Sequence, residues 1–498
     1  MLPHFQLPPR HKAAGTINPN FSPDQVGSWL AKLPHTAADE AAERLARFLN
    51  AFSRIDLPAQ HRGQLAGLLK VSAWHLAERL SQNLADQPLP LHQAPYRLLS
   101  LKQTLLGELA NSQKLLVLGS LHQGHDAHAT AWLADLLETL GQQILTAFRT
   151  HTSPAAGLWH DLHQSYLCAA RRGIADTPAA KGQSSIAVNY KSFLLLAMAD
   201  PYQFTAGEFD WAHALALEVA PLGVITAADT ARRALAPFHI HTSQDDSPQP
   251  MARHYTKAQN DLLFDTAGIA KHLALLGNAI KNHRSAEGLH LPPEQDWPEY
   301  LTLLNKLKLR WGASKHRLVQ RRKPQQEFTY EITLGLDSLG LLTGAAPAGG
   351  DRVPTVFTCG TLNDSAGGLA LQCAGGLPGS IAVGEVIGLR QRHDSHWQVG
   401  LVRWFKQQRE EELQLGLQLL ASQFEPAQAR HQGTDKQCTG FLLQGIGSNR
   451  PECLLLPKHF GQAGMALTLT LADSDRAIML KQLAQTGIGL EVFQLAAA

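Results

Sequence analysis

The apolar residues in the first half of the chain recur with helical spacing. Leu45, Leu49 and Phe52 fall at i, i+4 and i+7, so they would share one face of a helix. The same kind of pattern predicts further helices over 65–80, 92–109, 127–150, 158–171, 190–200, 261–282 and 297–309, and a short helix near 23–33. Helices of this length in series indicate an all-helical domain.

Apolar and polar residues alternate after Pro324. Phe328, Tyr330 and Ile332 are separated by polar residues, which is the period-two pattern of a half-buried strand. Further short strands are predicted at 354–359, 369–373, 385–392, 397–405 and 414–420, and then at 440–444, 453–456, 466–471 and 490–494. Short strands joined by brief Gly- or Asp-containing turns indicate a small antiparallel barrel followed by more β structure.

These patterns predict an α+β multidomain protein. It would have an all-helical N-terminal domain, a small antiparallel β-barrel and a C-terminal β extension. A chain of 498 residues is too long for one hydrophobic core, so several domains are expected. The expected parts are a tail or linker over 1–36, a mainly helical domain over 37–310 with short extended pieces near 222–250, a barrel with an N-terminal arginine linker over 311–425, and the β extension over 426–498.

Composition narrows the class of protein. With 44% hydrophobic and 17% charged residues, the chain can bury real cores and is globular rather than disordered. A net charge of +2 is too small for a general nucleic-acid coat or a membrane-surface protein. The sequence shows neither a secretory signal pattern nor an uncharged apolar run of about 18 residues, so we expect a cytoplasmic protein without a membrane span.

The cysteines are scattered along the chain and form no CxxC pair. They are Cys168, Cys359, Cys373, Cys438 and Cys453. Their odd number and irregular spacing predict free thiols in a reducing compartment, with neither a disulfide framework nor a zinc site.

Positive charge is concentrated just before the predicted barrel. The cluster, with no acidic residue inside it, consists of Lys306, Lys308, Arg310, Lys315, Arg317, Arg321, Arg322 and Lys323. An arginine guanidinium can hold a phosphate bidentately, and its flat face can stack on a nucleobase. The cluster alone is equally compatible with a solvated basic linker.

A second stretch offers complementary chemistry. In the segment from Asn363 to Gly368, the Asn363 amide and the Ser365 hydroxyl can read a base edge. Gly367 and Gly368 let a backbone approach a ligand closely. Alone, the segment could be a plain hairpin turn, but with the arginine cluster it predicts an anion-binding site.

In this order, the two stretches resemble the PilZ domain, a bacterial receptor for the second messenger cyclic di-GMP. That family carries RxxxR on a linker, followed by D/N-x-S-x-x-G on a barrel. Here Arg317 and Arg321 match the first part, and the second part is matched by Asn363, Ser365 and Gly368. The interval between the two parts is longer than usual in the family, with an Ala/Pro/Gly-rich loop inserted at 344–352, and a longer connection costs little closure entropy.

The resemblance implies a cyclic di-GMP receptor and effector that is not an enzyme and needs no cofactor. It implies these ligand-binding residues: Arg317, Arg321, Arg322, Asn363, Ser365 and Gly368. The arginines would hold the phosphates and stack on guanine, the asparagine and serine would read the guanine edge, and the glycine would permit close approach. Binding would order the linker, switch the arrangement of helical domain and barrel, and regulate a motility, pilus or biofilm output through a protein partner of the helical domain.

Other functions stay open as alternatives. A metal-dependent phosphodiesterase site would need Asp245 and Asp246 to meet the HxxHxxH histidines at 122, 125 and 128. We favour a structural or solvated role for these residues, because histidines three apart after a glycine-containing turn converge poorly and no His or Glu stands at a useful spacing from the aspartates. The sequence also carries no P-loop, GxSxG or HExxH motif, so we expect no catalytic or metal site. A nucleic-acid-binding barrel would use the same basic linker and lose affinity steeply with salt. A degenerate PilZ protein would bind only protein partners.

Overall fold

The computed structural model describes residues 2–8, 22–55, 57–122, 128–228, 237–251, 260–283, 290–312, 328–344, 354–365, 367–376, 379–432, 436–444, 452–472 and 474–496. The chain divides into two compact units. The helical unit comprises Met1–Gln87, Leu91–Pro201 and Ala206–His316. The barrel unit comprises Pro88–Pro90, Tyr202–Thr205 and Arg317–Ala498.

The helical unit has most of its helices where the apolar spacing predicts them, whereas the helix Ala206–Val219 was not predicted. Its α-helices are α1 (Pro23–Ala31), α2 (Ala38–Arg54), α3 (Ala59–Ala85), α4 (Gln93–His122), α5 (Ala129–Arg149), α6 (Leu158–Arg171), α7 (Ile186–Met198), α8 (Ala206–Val219), α9 (Ala267–Lys281) and α10 (Trp297–Trp311). Leu45, Leu49 and Phe52 of α2 lie in one core cluster, as their spacing predicts. Helix α7 ends before Asp200, because the residue preceding Pro201 is disfavoured in helical conformation.

A small antiparallel sheet interrupts the helices. Its strands are β1 (Val224–Ala227), β2 (Phe238–Ile240), β3 (Gln249–Pro250) and β4 (Leu262–Asp265), in the order β1-β4-β2-β3. The prediction that a helix starts at Asp261 is wrong, since α9 begins only after β4. A short apolar run suits either a buried strand or a buried helix, and here pairing with β1 and β2 makes it a strand.

The segment 2–8 binds the helical unit through a buried ion pair. Lys114 Nζ of α4 lies 2.5 Å from Asp161 Oδ2 of α6, with both side chains almost fully buried. The backbone of Gln6 completes the pair: its N–H donates to Asp161 Oδ1 at 2.8 Å, and its carbonyl accepts from Lys114 Nζ at 3.0 Å. Buried charges persist only when paired and hydrogen-bonded, so this stretch, which lacks any hydrophobic period, is held by polar contacts.

A buried histidine links α6 to α7 and to the loop after β2. His163 Nε2 lies 2.9 Å from the Asp246 carbonyl, and Nδ1 lies 2.7 Å from the Tyr190 hydroxyl. Burial lowers the pKa of His163 to about 4, against a weaker raising effect of the bond to Asp246. The ring is therefore neutral at pH 7, so Nε2–H donates to the carbonyl and Nδ1 accepts from the hydroxyl.

The barrel unit begins with a closed six-stranded barrel, the first barrel. Its strands are β5 (Thr329–Leu334), β6 (Phe357–Ser365), β7 (Gly368–Ala374), β8 (Val386–Gln391), β9 (Gln398–Arg409) and β10 (Glu412–Ala421), in the order β10-β7-β6-β5-β8-β9. Helix α11 (Leu336–Leu342), which the pattern of apolar residues did not predict, lies between β5 and β6. It adds to the interval that separates the two halves of the predicted site.

The predicted C-terminal β extension is a second closed barrel. Its strands are β11 (Gln423–His431), β12 (Gln437–Gln444), β13 (Cys453–Pro457), β14 (Ala466–Thr470), β15 (Asp475–Gly487) and β16 (Leu490–Leu495), in the order β11-β12-β13-β16-β15-β14. The α+β fold class, helical first and barrel-forming afterwards, is confirmed. Strands β11 and β15 were missed because each fully buries only two side chains and β11 contains a proline.

The two barrels share a hydrophobic core. Only Ser422 separates β10 from β11, so the chain passes directly from one barrel into the other. Leu401 of the first barrel and Phe441 and Val492 of the second belong to one buried cluster. The β15–β16 turn is also tied to the first barrel, because Ile488 N–H donates to the Gly384 carbonyl at 2.9 Å. The barrels therefore form one continuous packed body.

The state of His163 predicts a stability that falls in mild acid. Its folded pKa of about 4 lies below the ordinary 6.5, so protons bind the unfolded chain first and stability is lost as pH drops from 6.5 towards 4. Between pH 7 and pH 5 this group should remove roughly 2 kcal/mol from the free energy of unfolding of the helical unit. Denaturant titration followed by helical circular dichroism measures the loss.

The comparison is between wild type, His163→Gln and His75→Gln, the last of which alters an exposed histidine of α3. We expect a shallower pH dependence only in His163→Gln. Identical slopes in all three proteins would contradict the assignment.

Candidate ligand-binding site

The structure describes one half of the predicted site. Arg317, Arg321 and Arg322 lie outside the described residues, so their role stays a prediction. Asn363, Ser365 and Gly368 lie together on the β6–β7 hairpin of the first barrel.

The hairpin is tighter than the sequence suggested. The sequence predicts a turn that includes Asn363 and Ser365, but β6 continues through Ser365. Ser365 pairs directly with Gly368, which leaves residues 366 and 367 as the connection, and the Ser365 hydroxyl donates to the Gly368 carbonyl at 3.2 Å. The pairing shifts register between Thr361 and Asn363. Such a bulge re-aims the side chains that follow it, so the side-chain directions of the motif depend on the irregular pairing.

Gly368 is required by the neighbouring strand. A Cβ at this position would lie 2.8 Å from the Leu417 carbonyl oxygen of β10, closer than real Cβ atoms approach backbone. At Gly367 an added Cβ would meet nothing within 4 Å. The motif glycine therefore holds β7 against β10, whatever else it does for a ligand.

Strand β10 places an arginine beside the motif. Gln418 is paired with Gly368 across β7 and β10, and Leu419 N–H donates to the Gly367 carbonyl at 3.2 Å. Arg403 of β9 donates through Nε to Gln418 Oε1 at 2.7 Å, and its Nη2 donates to the same oxygen. Burial lowers the pKa of Arg403, but a guanidinium stays charged at neutral pH.

Arg403 was not among the predicted site residues. No local signal in the sequence marks it, because it reaches the motif only through the pairing of β9 with β10 and of β10 with β7. The neighbouring Trp404 is half-buried and covers Gly416 of β10, where a Cβ would overlap the indole ring. The barrel wall beside the motif thus carries both a cation and an aromatic ring.

The hairpin is also closed by a disulfide bond. Cys359 of β6 and Cys373 of β7 are directly opposed in the ladder and are joined through their sulfurs. The prediction that all cysteines are free thiols is therefore wrong for this pair, while Cys168, Cys438 and Cys453 form no disulfide bond within the described residues. Cysteines fourteen residues apart gave no sequence signal, because only the β6–β7 register brings them together.

The residues considered for a phosphodiesterase site do not form one within the described part of the chain. The Asp245 carboxylate accepts hydrogen bonds from the backbone N–H groups of Gly157, Trp159 and His160 at the start of α6, at 2.5, 2.9 and 3.2 Å. An acceptor at a helix N-terminus is a structural cap. His125 lies outside the described residues, and the described part of the chain contains no group of three His, Cys, Asp or Glu side chains placed to hold a metal ion.

None of the helices in the described ranges is long and apolar enough to cross a bilayer.

Comparison with known proteins gives matches over both units. A family model described as the N-terminal domain of the cyclic-di-GMP receptor FimW matches residues 24–230. A model described as the middle PilZ domain of that receptor matches residues 345–426, which include Asn363, Ser365 and Gly368 but not the three arginines. The chain is also 22% identical to the cyclic-di-GMP receptor FimW of Pseudomonas aeruginosa, in an alignment that covers 94% of this chain and 89% of that protein.

The packing at Gly368 predicts a sharp difference between adjacent glycines. Gly368→Ala should destabilise the first barrel by roughly 1–3 kcal/mol, because the new Cβ forces β7 away from the Leu417 carbonyl. Gly367→Ala is the matched control and should stay within about 0.5 kcal/mol of wild type. Denaturant unfolding followed by tryptophan fluorescence measures both, and equal stabilities would show that the strands are not in this contact.

The disulfide predicts a specific labelling pattern. Alkylation in denaturant should modify Cys168, Cys438 and Cys453 without reductant, and Cys359 and Cys373 only after reduction. Reduction should lower barrel stability by about 3 kcal/mol, the loop-closure effect for a span of this length. The double variant Cys359→Ala/Cys373→Ala should show no effect of reductant on stability. Modification of every cysteine without reductant would contradict the bond.

Proposed function

Because the chain is a PilZ-domain protein whose helical and barrel parts both match FimW family models, we propose that it is a receptor for cyclic di-GMP. The observation that carries the proposal is the β6–β7 hairpin, in which Asn363, Ser365 and Gly368 lie together on a closed barrel inside the matched PilZ region. The similar protein from Pseudomonas aeruginosa carries the name of a receptor for this ligand, and nothing in that name points to catalysis.

In the proposed complex the arginines and the hairpin bind different parts of the ligand. Arg317 and Arg321 hold the phosphates bidentately and stack on a guanine, with Arg322 as a further donor. Asn363 and Ser365 read the edge of that guanine. The Ser365 hydroxyl already bonds the Gly368 carbonyl, so it is oriented before ligand arrives. A preoriented hydroxyl loses less freedom on binding, which favours affinity.

The barrel wall supports the same ligand. The hydrogen-bond partner of Arg403 is the neutral carboxamide of Gln418. This contact therefore leaves the positive charge of the arginine available to attract a phosphate. The half-buried ring of Trp404 adds an aromatic surface on the same strand. Both groups are fixed by strand pairing, which keeps them in place independently of the arginine linker.

Binding acts as a switch in this proposal. The dinucleotide would hold the arginine linker against the first barrel and thereby change the arrangement of the helical and barrel units. The helical unit would then present or withdraw a surface for a protein partner. The output would be a response of the kind that cyclic di-GMP signalling controls, such as motility, pili or biofilm formation.

Titration calorimetry with cyclic di-GMP tests the receptor. Wild type should bind with saturation at a small whole number of ligands per chain. Arg321→Ala should bind at least about tenfold more weakly, because it removes charge-assisted hydrogen bonds to phosphate. Arg409→Ala is the matched control: it removes an exposed arginine at the β9–β10 turn, the end of β10 opposite to Gln418.

Each result has a distinct meaning. Absence of binding by wild type would refute the receptor proposal. Equal affinities of wild type and Arg321→Ala would refute the residue assignment and leave the receptor standing. Binding of many unrelated single-stranded oligonucleotides, with affinity falling steeply in salt, would favour the nucleic-acid alternative.

A further inference from the structure

A cleft lies between the two barrels. Its volume is about 300 Å³, and its walls come from the end of β10 and from β12, β13, β15 and β16. Leu443 and Val492 supply apolar surface, and Gln418, Gln444, Gln485 and Gln494 supply carboxamides. None of the described residues that line the cleft is charged.

One of these carboxamides lacks a partner. The Nε2 of Gln485 is buried and makes no hydrogen bond within the described part of the chain. Other lining amides are engaged: Gln418 Oε1 accepts from Arg403, and Gln494 Oε1 accepts from Gln482 Nε2 at 2.8 Å. A buried amide donor without an acceptor destabilises the folded state. A ligand atom that enters the cleft and accepts this hydrogen bond would therefore remove that free-energy cost.

The cleft and the PilZ hairpin are adjacent. Gln418 lines the cleft and is paired in register with Gly368. The next residue, Leu419, also lines the cleft, and its N–H donates to the Gly367 carbonyl at 3.2 Å. A ligand held at the hairpin therefore lies next to the part of the cleft wall that Gln418 and Leu419 form.

We infer that the cleft between the barrels is a subsite for a guanine base of the cyclic dinucleotide bound at the hairpin, with Gln485 donating to that base. The inference rests on the proposed function, because it needs the dinucleotide at the hairpin. It adds a role for the second barrel, whose strands β12, β13, β15 and β16 supply most of the lining.

The chemistry of the lining selects a base over a phosphate. A cleft without charge cannot repay the desolvation of a phosphate, whereas a neutral planar base suits apolar walls with a few amides. Guanine presents two adjacent acceptors, O6 and N7, which match the unpartnered Gln485 donor. The phosphates would stay outside, near the arginines, so the ligand places its charge and its base in separate environments.

The test uses the full chain and cyclic di-GMP. Gln485→Leu should bind at least about tenfold more weakly than wild type, because the base loses its donor. Without ligand its melting temperature should equal or exceed that of wild type, since the substitution removes a buried, unpartnered amide. Gln485→Glu keeps the shape but replaces the amide donor by a carboxylate oxygen, which would face the acceptors O6 and N7 of guanine, so it should bind at least as weakly as Gln485→Leu.

Gln437→Leu is the control, because it makes the same change at an exposed position of the second barrel and should bind like wild type. Wild-type affinity in Gln485→Leu or Gln485→Glu would overturn the inference and leave the receptor intact. A weaker affinity accompanied by a lower melting temperature of both ligand-free variants would also overturn it, since the amide would then be structural. Failure of wild type to bind cyclic di-GMP would overturn the inference and the proposed function together.

Discussion

The pairing of β7 with both of its neighbours positions the described half of the candidate site. On one side β7 is joined to β6 by its ladder and by the Cys359–Cys373 bond. On the other side the absence of a side chain at Gly368 lets β7 approach the carbonyl of Leu417 on β10. Because β10 continues almost directly into β11, the same register that sets the hairpin also sets the junction between the two barrels. Ligand chemistry and barrel packing therefore depend on one set of strand contacts.

The barrel unit places a cation close to an uncharged cleft. Arg403 of β9 carries a positive charge and donates to Gln418, whereas the cleft between the barrels, which Gln418 also lines, has neutral carboxamides and aliphatic side chains. A dinucleotide has the same division, with anionic phosphates and neutral planar bases. Placing each part where its solvation cost is lowest is a general route to specificity, since a ligand of the wrong distribution leaves buried polar groups unpaired.

The helical unit uses polar groups inside its core in a different way. The Lys114–Asp161 pair and the neutral His163 each satisfy backbone or side-chain groups from segments distant in the chain. Asp245 does the same at the start of α6. These contacts hold the segment 2–8 and the loop after β2 in place, where apolar side chains are too few to do so. Residues that look like candidate ligands in the sequence thus serve packing in this unit.

By itself, the sequence determined most helices of the first half, most strands of the second half and the match to the PilZ signature, because these depend on periodicity and on residues close together in the chain. The sequence could not link Arg403 to Gly368 through Gln418, oppose Cys359 to Cys373, or bring β15 to the cleft. It also missed β11 and β15, whose few buried side chains give a weak alternation. Only the tertiary structure decided these features, because strand register brings together residues that are far apart in the sequence. In a half-exposed strand, pairing with neighbouring strands also contributes more to strand formation than the hydrophobic pattern of the strand itself does.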